Sequence, residues 1–135
     1  MEHVVGLILN NSMVIYYGTC IFILGLLIGS FLNVLIYRLP RHESFVMSSS
    51  HCTNCGNPIK WYDLIPVISY IILRGKCRNC KSKISIQYPV IELLNAVLYL
   101  TIYVFLKLKL ITIPLYIAVS AVIVFTMIKL QNNKK

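Results

Sequence analysis

Apolar positions along the chain gather into three long blocks, separated by one polar stretch and one short tip. The first block, residues 14–37, runs for 24 residues without a charge. At about 1.5 Å per residue it predicts a helix of about 36 Å, enough to cross roughly 30 Å of hydrocarbon with some tilt. The second block covers residues 88–106, interrupted only by Glu92 and Asn95, and the third covers residues 110–128. Pro89 and Pro114 fall near the starts of these blocks, where a first helical turn tolerates a missing N–H. Only Lys107, Leu108 and Lys109 separate the last two blocks, which predicts a tight antiparallel hairpin. The pattern predicts an α-helical membrane protein with three transmembrane helices and one polar loop between the first and second.

Composition narrows the class. The 135 residues are 58% hydrophobic with a mean hydropathy of +0.76, which excludes a soluble globular domain, a disordered tail and a fibrous repeat. No Lys or Arg precedes the first block, and its apolar run exceeds the roughly 7–15 residues of a signal-peptide core. It therefore reads as an uncleaved anchor. A net charge of +9 raises the question of nucleic acid, but placement answers it. Eight of the 13 basic residues lie in the polar loop at residues 38–87, three in the tail, two at the hairpin tip and none before the first block. The excess of Lys and Arg on cytoplasmic loops puts the loop and tail inside and the N-terminus outside. The expected organisation is then residues 1–37 as outer N-terminus and first span, 38–87 as cytoplasmic basic loop, and 88–135 as transmembrane hairpin with a short cytoplasmic tail.

The loop carries the strongest chemical signal. Cys52 and Cys55 form one C-x-x-C pair, Cys77 and Cys80 another. Their surroundings repeat as well: Cys52-Thr53-Asn54-Cys55 with Ile59 matches Cys77-Arg78-Asn79-Cys80 with Ile84 at a constant offset of 25. Two such knuckles can deliver four thiolates to a tetrahedral Zn²⁺, and Gly56 helps the first knuckle turn back. Disulfide or redox roles are disfavoured because a cytoplasmic loop lies in a reducing compartment. His51 could replace Cys52 as a ligand, but four thiols already complete the set. Cys20, inside the first block, reads as a small packing residue. Residues 63–75 predict an interfacial or ribbon-covering helix, with Asp63 as N-cap, Pro66 in the first turn and Gly75 as stop, although their β-branched content also suits a strand.

Polar groups within the spans form a second set. Gly18, Gly25, Gly29 and Asn33 share one helix face, and Gly25 with Gly29 forms a G-x-x-x-G that permits close helix approach, with Ser30 beside it. Glu92 is an ionisable group inside a span, a costly placement that marks either function or a pairing with a loop cation. Asn33 and Asn95 join it as candidate intramembrane polar groups.

These segments together resemble the bacterial prepilin peptidase family, the leader peptidase and N-methyltransferase of type IV pili, type II secretion and competence pili. The resemblance rests on Gly29-Ser30-Phe31-Leu32-Asn33-Val34, Tyr37-Arg38-Leu39-Pro40, both knuckles, and Trp61-Tyr62-Asp63-Leu64-Ile65-Pro66-Val67. Leu73-Arg74-Gly75-Lys76-Cys77-Arg78, Ile84-Ser85, Tyr88-Pro89 and Glu92 continue it in order. It covers roughly residues 20–100, the amino-terminal region of that family, and implies a bacterial inner-membrane location, prepilin-type substrates and S-adenosylmethionine as methyl donor. The family's peptidase uses two aspartates, whereas this sequence contains one Asp, Asp63. Met127-Ile128-Lys129-Leu130 resembles the setting of the first catalytic aspartate with Lys129 in its place. Peptidase activity is therefore not expected of this chain alone. Two function classes stand. The first is an enzyme half, either a methyltransferase-type membrane module or the amino-terminal part of a peptidase whose catalytic half is a separate chain. The second is a non-catalytic zinc-bound membrane module or truncated remnant that docks pilus or secretion proteins.

Overall fold

The computed structural model describes residues 1–44 and 49–134, with Val5 and residues 7–9 described by backbone alone. Four α-helices organise them: α1 (Glu2–Arg38), α2 (Ile68–Ile72), α3 (Gln87–Leu106) and α4 (Thr112–Asn133). Three of the four, all but α2, are long and apolar enough to cross a membrane. Helix α1 has 37 residues, about 55 Å, and starts twelve residues before the apolar block does. No proline interrupts that stretch, so the hydrogen-bond ladder continues outward. Pro89 and Pro114 are each the third residue of their helix, as the pattern of blocks predicts. Helix α4 runs on to Asn133, so the residues expected as a short tail are largely helical.

Helix α3 packs antiparallel along α1, and the glycine face makes that possible. A Cβ placed on Gly25 would lie 2.6 Å from the Ala96 Cα, and one on Gly29 would lie 2.7 Å from the Glu92 Cα. The two backbones meet where side chains would otherwise stand. Polar groups close the same seam. Asn33 Nδ2 donates to the Tyr88 carbonyl at 3.0 Å, Asn95 Nδ2 donates to the Gly25 carbonyl at 2.8 Å, and the Tyr103 hydroxyl reaches the Val14 carbonyl at 3.4 Å. Helix α4 joins through Ser120, whose hydroxyl donates to Asn95 Oδ1 at 3.1 Å and lies 2.9 Å from the Tyr99 hydroxyl. Leu32, Ile36, Ile91 and Ile123 form the apolar core beside this network. Cys20, expected as a packing residue, is exposed on the outer surface of α1, because Gly18 and Gly25 define a seam that turns residue 20 away from α3.

The loop between α1 and α3 is mostly irregular, with 3₁₀ turns at Leu39–Arg41 and Trp61–Leu64. The helix expected over residues 63–75 is only five residues long. Asp63 does not cap it, since its carboxylate is taken by Arg78, with Nη2 at 2.6 Å and Nε at 2.9 Å. Gly75 does end the turn, at φ +67°. The Tyr70 ring lies so close that a Cβ there would sit 2.8 Å from its hydroxyl oxygen.

Candidate metal centre and cleft

The offset of 25 seen in the sequence is also an offset in hydrogen bonds. Cys52 N–H donates to the Asn57 carbonyl and Cys77 N–H to the Ser82 carbonyl, both at 2.9 Å. Gly56 N–H returns to the Cys52 carbonyl as Lys81 N–H returns to that of Cys77, and Ile59 binds Ser50 as Ile84 binds Gly75. Isolated antiparallel bridges join His51 to Pro58 and Lys76 to Lys83. Each pair is the other shifted by 25. The turn needs a left-handed residue, supplied by Gly56 at φ +72° and by Lys81 at φ +60°, where a side chain costs energy that glycine avoids. His51 lies on the first bridge, and its ring faces the Ser49 carbonyl at 3.2 Å rather than the sulfurs.

The two knuckles bring the Sγ atoms of Cys52, Cys55, Cys77 and Cys80 within 4.8 Å of one another. Cys52 and Cys80 are 3.7 Å apart, far too long for a disulfide bond. A tetrahedron with metal–sulfur bonds of about 2.3 Å has an edge of about 3.8 Å, so the set fits one tetrahedral metal ion. Ser82 places its hydroxyl 3.0 Å from the Cys80 sulfur and Asn54 donates to the same sulfur at 3.6 Å. The Ser82 hydroxyl and N–H, with the Asn54 amide, hold the Cys80 thiol down to about 5. Backbone N–H groups of Cys55 and Asn54 lower that of Cys52. The Asn57 N–H favours the Cys55 thiolate, but desolvation and the neighbouring sulfurs prevail and push it up to about 11. Such a group of thiols resists full ionisation until a cation collects the charge. Ser82 and Asn54 were not singled out in the sequence, though Ser82 occupies the position of Asn57 in the repeat.

A cleft of about 440 Å³ lies between this loop and the helices. The helices contribute Ser30, Asn33 and Glu92, and the loop contributes Tyr70, Leu73 and Ser85. Glu92 is buried, at 7% exposure, and its partner is not a loop cation. Instead Oε2 accepts the Val67 backbone N–H at 2.7 Å. Val67 has φ +60° and ψ −49°, and Ile68 N–H bonds back to the Pro66 carbonyl at 2.5 Å, a γ-turn that a β-branched residue adopts only under strain. Glu92 thus latches a strained turn of the loop to α3. Asn33 Oδ1 is buried with no hydrogen-bond partner among the described residues. Asn95 lies in the helix seam rather than the cleft, with both amide atoms satisfied. Lys129 is exposed on α4 and does not line the cleft.

Three helices long and apolar enough to cross a membrane, carrying a loop whose four cysteines could hold a metal ion over a cleft, define the class: a helical protein with a four-cysteine module. The chain belongs to the bacterial peptidase A24 N-terminal domain family, whose description matches residues 23–106. Among curated relatives, the prepilin leader peptidase/N-methyltransferase of Myxococcus xanthus is 43% identical over 94 residues, 67% of this chain and 28% of the relative. That of Vibrio cholerae is 46% identical over 89 residues, 60% of this chain and 35% of the relative. That of Neisseria gonorrhoeae is 42% identical over 101 residues. The matched region is thus only about a third of the length of these relatives. No solved structure matches the chain.

Proposed function

We propose that this chain is a membrane-embedded module of prepilin processing that holds one zinc ion and serves N-methylation of the processed pilin rather than cleavage of its leader. The observation that carries the reading is the position of Glu92, a buried carboxylate lining a cleft beneath the metal loop. Methylation of an amine needs an acceptor that orients the amine and takes its proton. Glu92 can do both, while Asn33 Oδ1 offers a second buried acceptor. S-adenosylmethionine, when bound, would supply a methyl group on a cationic sulfur. The cleft offers it the Glu92 carboxylate and the Asn33 amide oxygen, alongside the basic side chains of Arg38, Lys60, Arg78 and Lys83 that also line it. The zinc ion's part is structural: four thiolates complete its coordination and leave no open position. The three apolar helices support a location in the bacterial inner membrane, and the excess of Lys and Arg on the loop and tail supports a cytoplasmic loop.

Aspartic proteolysis needs two facing carboxylates that share a proton. Asp63 is committed to Arg78, and among the described residues Glu92 is the one acidic side chain buried among the helices. The paired carboxylates of cleavage must therefore come from outside these residues, and aspartate at Lys129 would not by itself restore them. The test uses the purified, zinc-loaded chain in lipid, incubated in parallel with a prepilin and with an already processed pilin plus labelled S-adenosylmethionine. The prepilin should remain uncut and the processed pilin should gain label. Cleavage by this chain alone would show the catalytic groups to be misassigned. Absence of label would favour the non-catalytic docking module.

A further inference from the structure

We propose that the segment around α2 is re-entrant: its isoleucine face lies in the lipid of the leaflet that borders the loop, while its other face roofs the cleft. This inference rests on the membrane reading given above. Helix α3 has 20 residues, about 30 Å, so its whole length is needed to cross the hydrocarbon. Its first residue, Gln87, then stands at the boundary, and Glu92 lies roughly 7 Å inside it. The 2.7 Å bond from Val67 N–H to Glu92 Oε2 ties the start of α2 to the first turns of α3, within one side chain's length of Glu92 on its boundary side.

The two faces of α2 differ as a lipid contact requires. Ser69, Tyr70 and Leu73 line the cleft. Ile68, Ile71 and Ile72, at i, i+3 and i+4, point outward and are 55%, 67% and 68% exposed. In a water-facing loop that outer face would be polar; here it carries isoleucine alone. The chain leaves the segment at Gly75, between Arg74 and Lys76, both exposed and suited to anionic headgroups. Irregular backbone at membrane depth is tolerated where protein satisfies it, and Glu92 does so for the Val67 N–H at the γ-turn.

Trp61 is the single tryptophan, which makes fluorescence a direct probe. In a Trp61→Phe background, Ile71→Trp, Val97→Trp and Asn79→Trp are each reconstituted with zinc into phosphatidylglycerol vesicles containing brominated acyl chains. Val97 is half exposed on α3 and reports the membrane reading itself; Asn79 is exposed at a knuckle tip. Ile71→Trp should lose most of its emission to the brominated lipid, as Val97→Trp does, while Asn79→Trp keeps its emission and is quenched by aqueous acrylamide. Ile71→Trp quenched by acrylamide but not by lipid, with Val97→Trp quenched by lipid, would overturn the re-entrant segment alone. Val97→Trp insensitive to brominated lipid would overturn the membrane reading and this inference with it. Ile68→Trp and Ile72→Trp repeat the measurement on the same face if Ile71→Trp does not fold.

Discussion

Gly29 shows how little room the α1–α3 seam leaves. A methyl group there would sit 2.7 Å from a backbone atom, which no rotamer change can relieve. Gly29→Ala is expected to force the helices apart and cost about 1–3 kcal/mol, read as a lower unfolding midpoint in detergent. Gly6→Ala is the matched control: nothing lies within 4 Å, and alanine should leave the midpoint unchanged or raise it slightly. The spacing of glycines and Asn33 in the sequence pointed to this face directly, because helical periodicity is a local property. The partner of Glu92 was not legible. It is a backbone N–H on a turn 25 residues away, and a backbone donor has no residue identity to read. Asp63 misled for a related reason. A carboxylate before an apolar run suits a cap, but a guanidinium fork across the loop makes the stronger, bidentate claim.

At the scale of the element, the loop has little regular structure and depends on its four thiols. Cys80→Ser is expected to unfold both knuckles together, since metal binding supplies most of the folding free energy of so small a unit. Elemental analysis should then show no zinc in the purified variant and is expected to show one per chain in the parent. The ion pair adds a pH term. Arg78 holds Asp63 below the usual carboxylate range, so the pair stabilises the loop above about pH 4, and this is lost as pH falls through the lowered value. Arg78 is half exposed, so solvent screening keeps the contribution small. Asp63→Asn should lower loop stability slightly at neutral pH, leave it unchanged in acid below the lowered Asp63 value, and so flatten the acid limb of a loop-unfolding profile. The knuckles were legible in the sequence because two identical spacings repeat at one offset. The short α2 was not, since its turn is set by the Val67 bond to α3 rather than by its own residues.

For the whole molecule, the ordering of apolar blocks gave three helices and a hairpin, and the structure has them. Orientation rests on eleven basic residues on the loop side against two at the hairpin tip. An impermeant thiol reagent applied to intact cells is expected to reach Lys109→Cys and to miss Lys83→Cys. Labelling of Lys83→Cys from outside would reverse the assignment. The outward extension of α1 beyond its apolar block was not foreseen, because hydropathy marks where a helix must be buried and is silent on how far it continues.

The loop precedes α3 in the chain, and this order bears on biogenesis. Synthesis delivers Cys80 before any of α3 exists, so the knuckles can close on a cation while α1 stands alone in the bilayer. A closed loop shortens the tether between the two spans and presents Val67 at the height where Glu92 will arrive. An open one leaves α3 to find its glycine seam at the end of a slack chain, with the entropy of closure still to be met. Under the zinc reading proposed above, metal supply would then act as a checkpoint on the nascent protein. A chelator present during translation into membranes is expected to lower the yield of protease-resistant product more than the same chelator added after assembly; equal losses would place metal capture late.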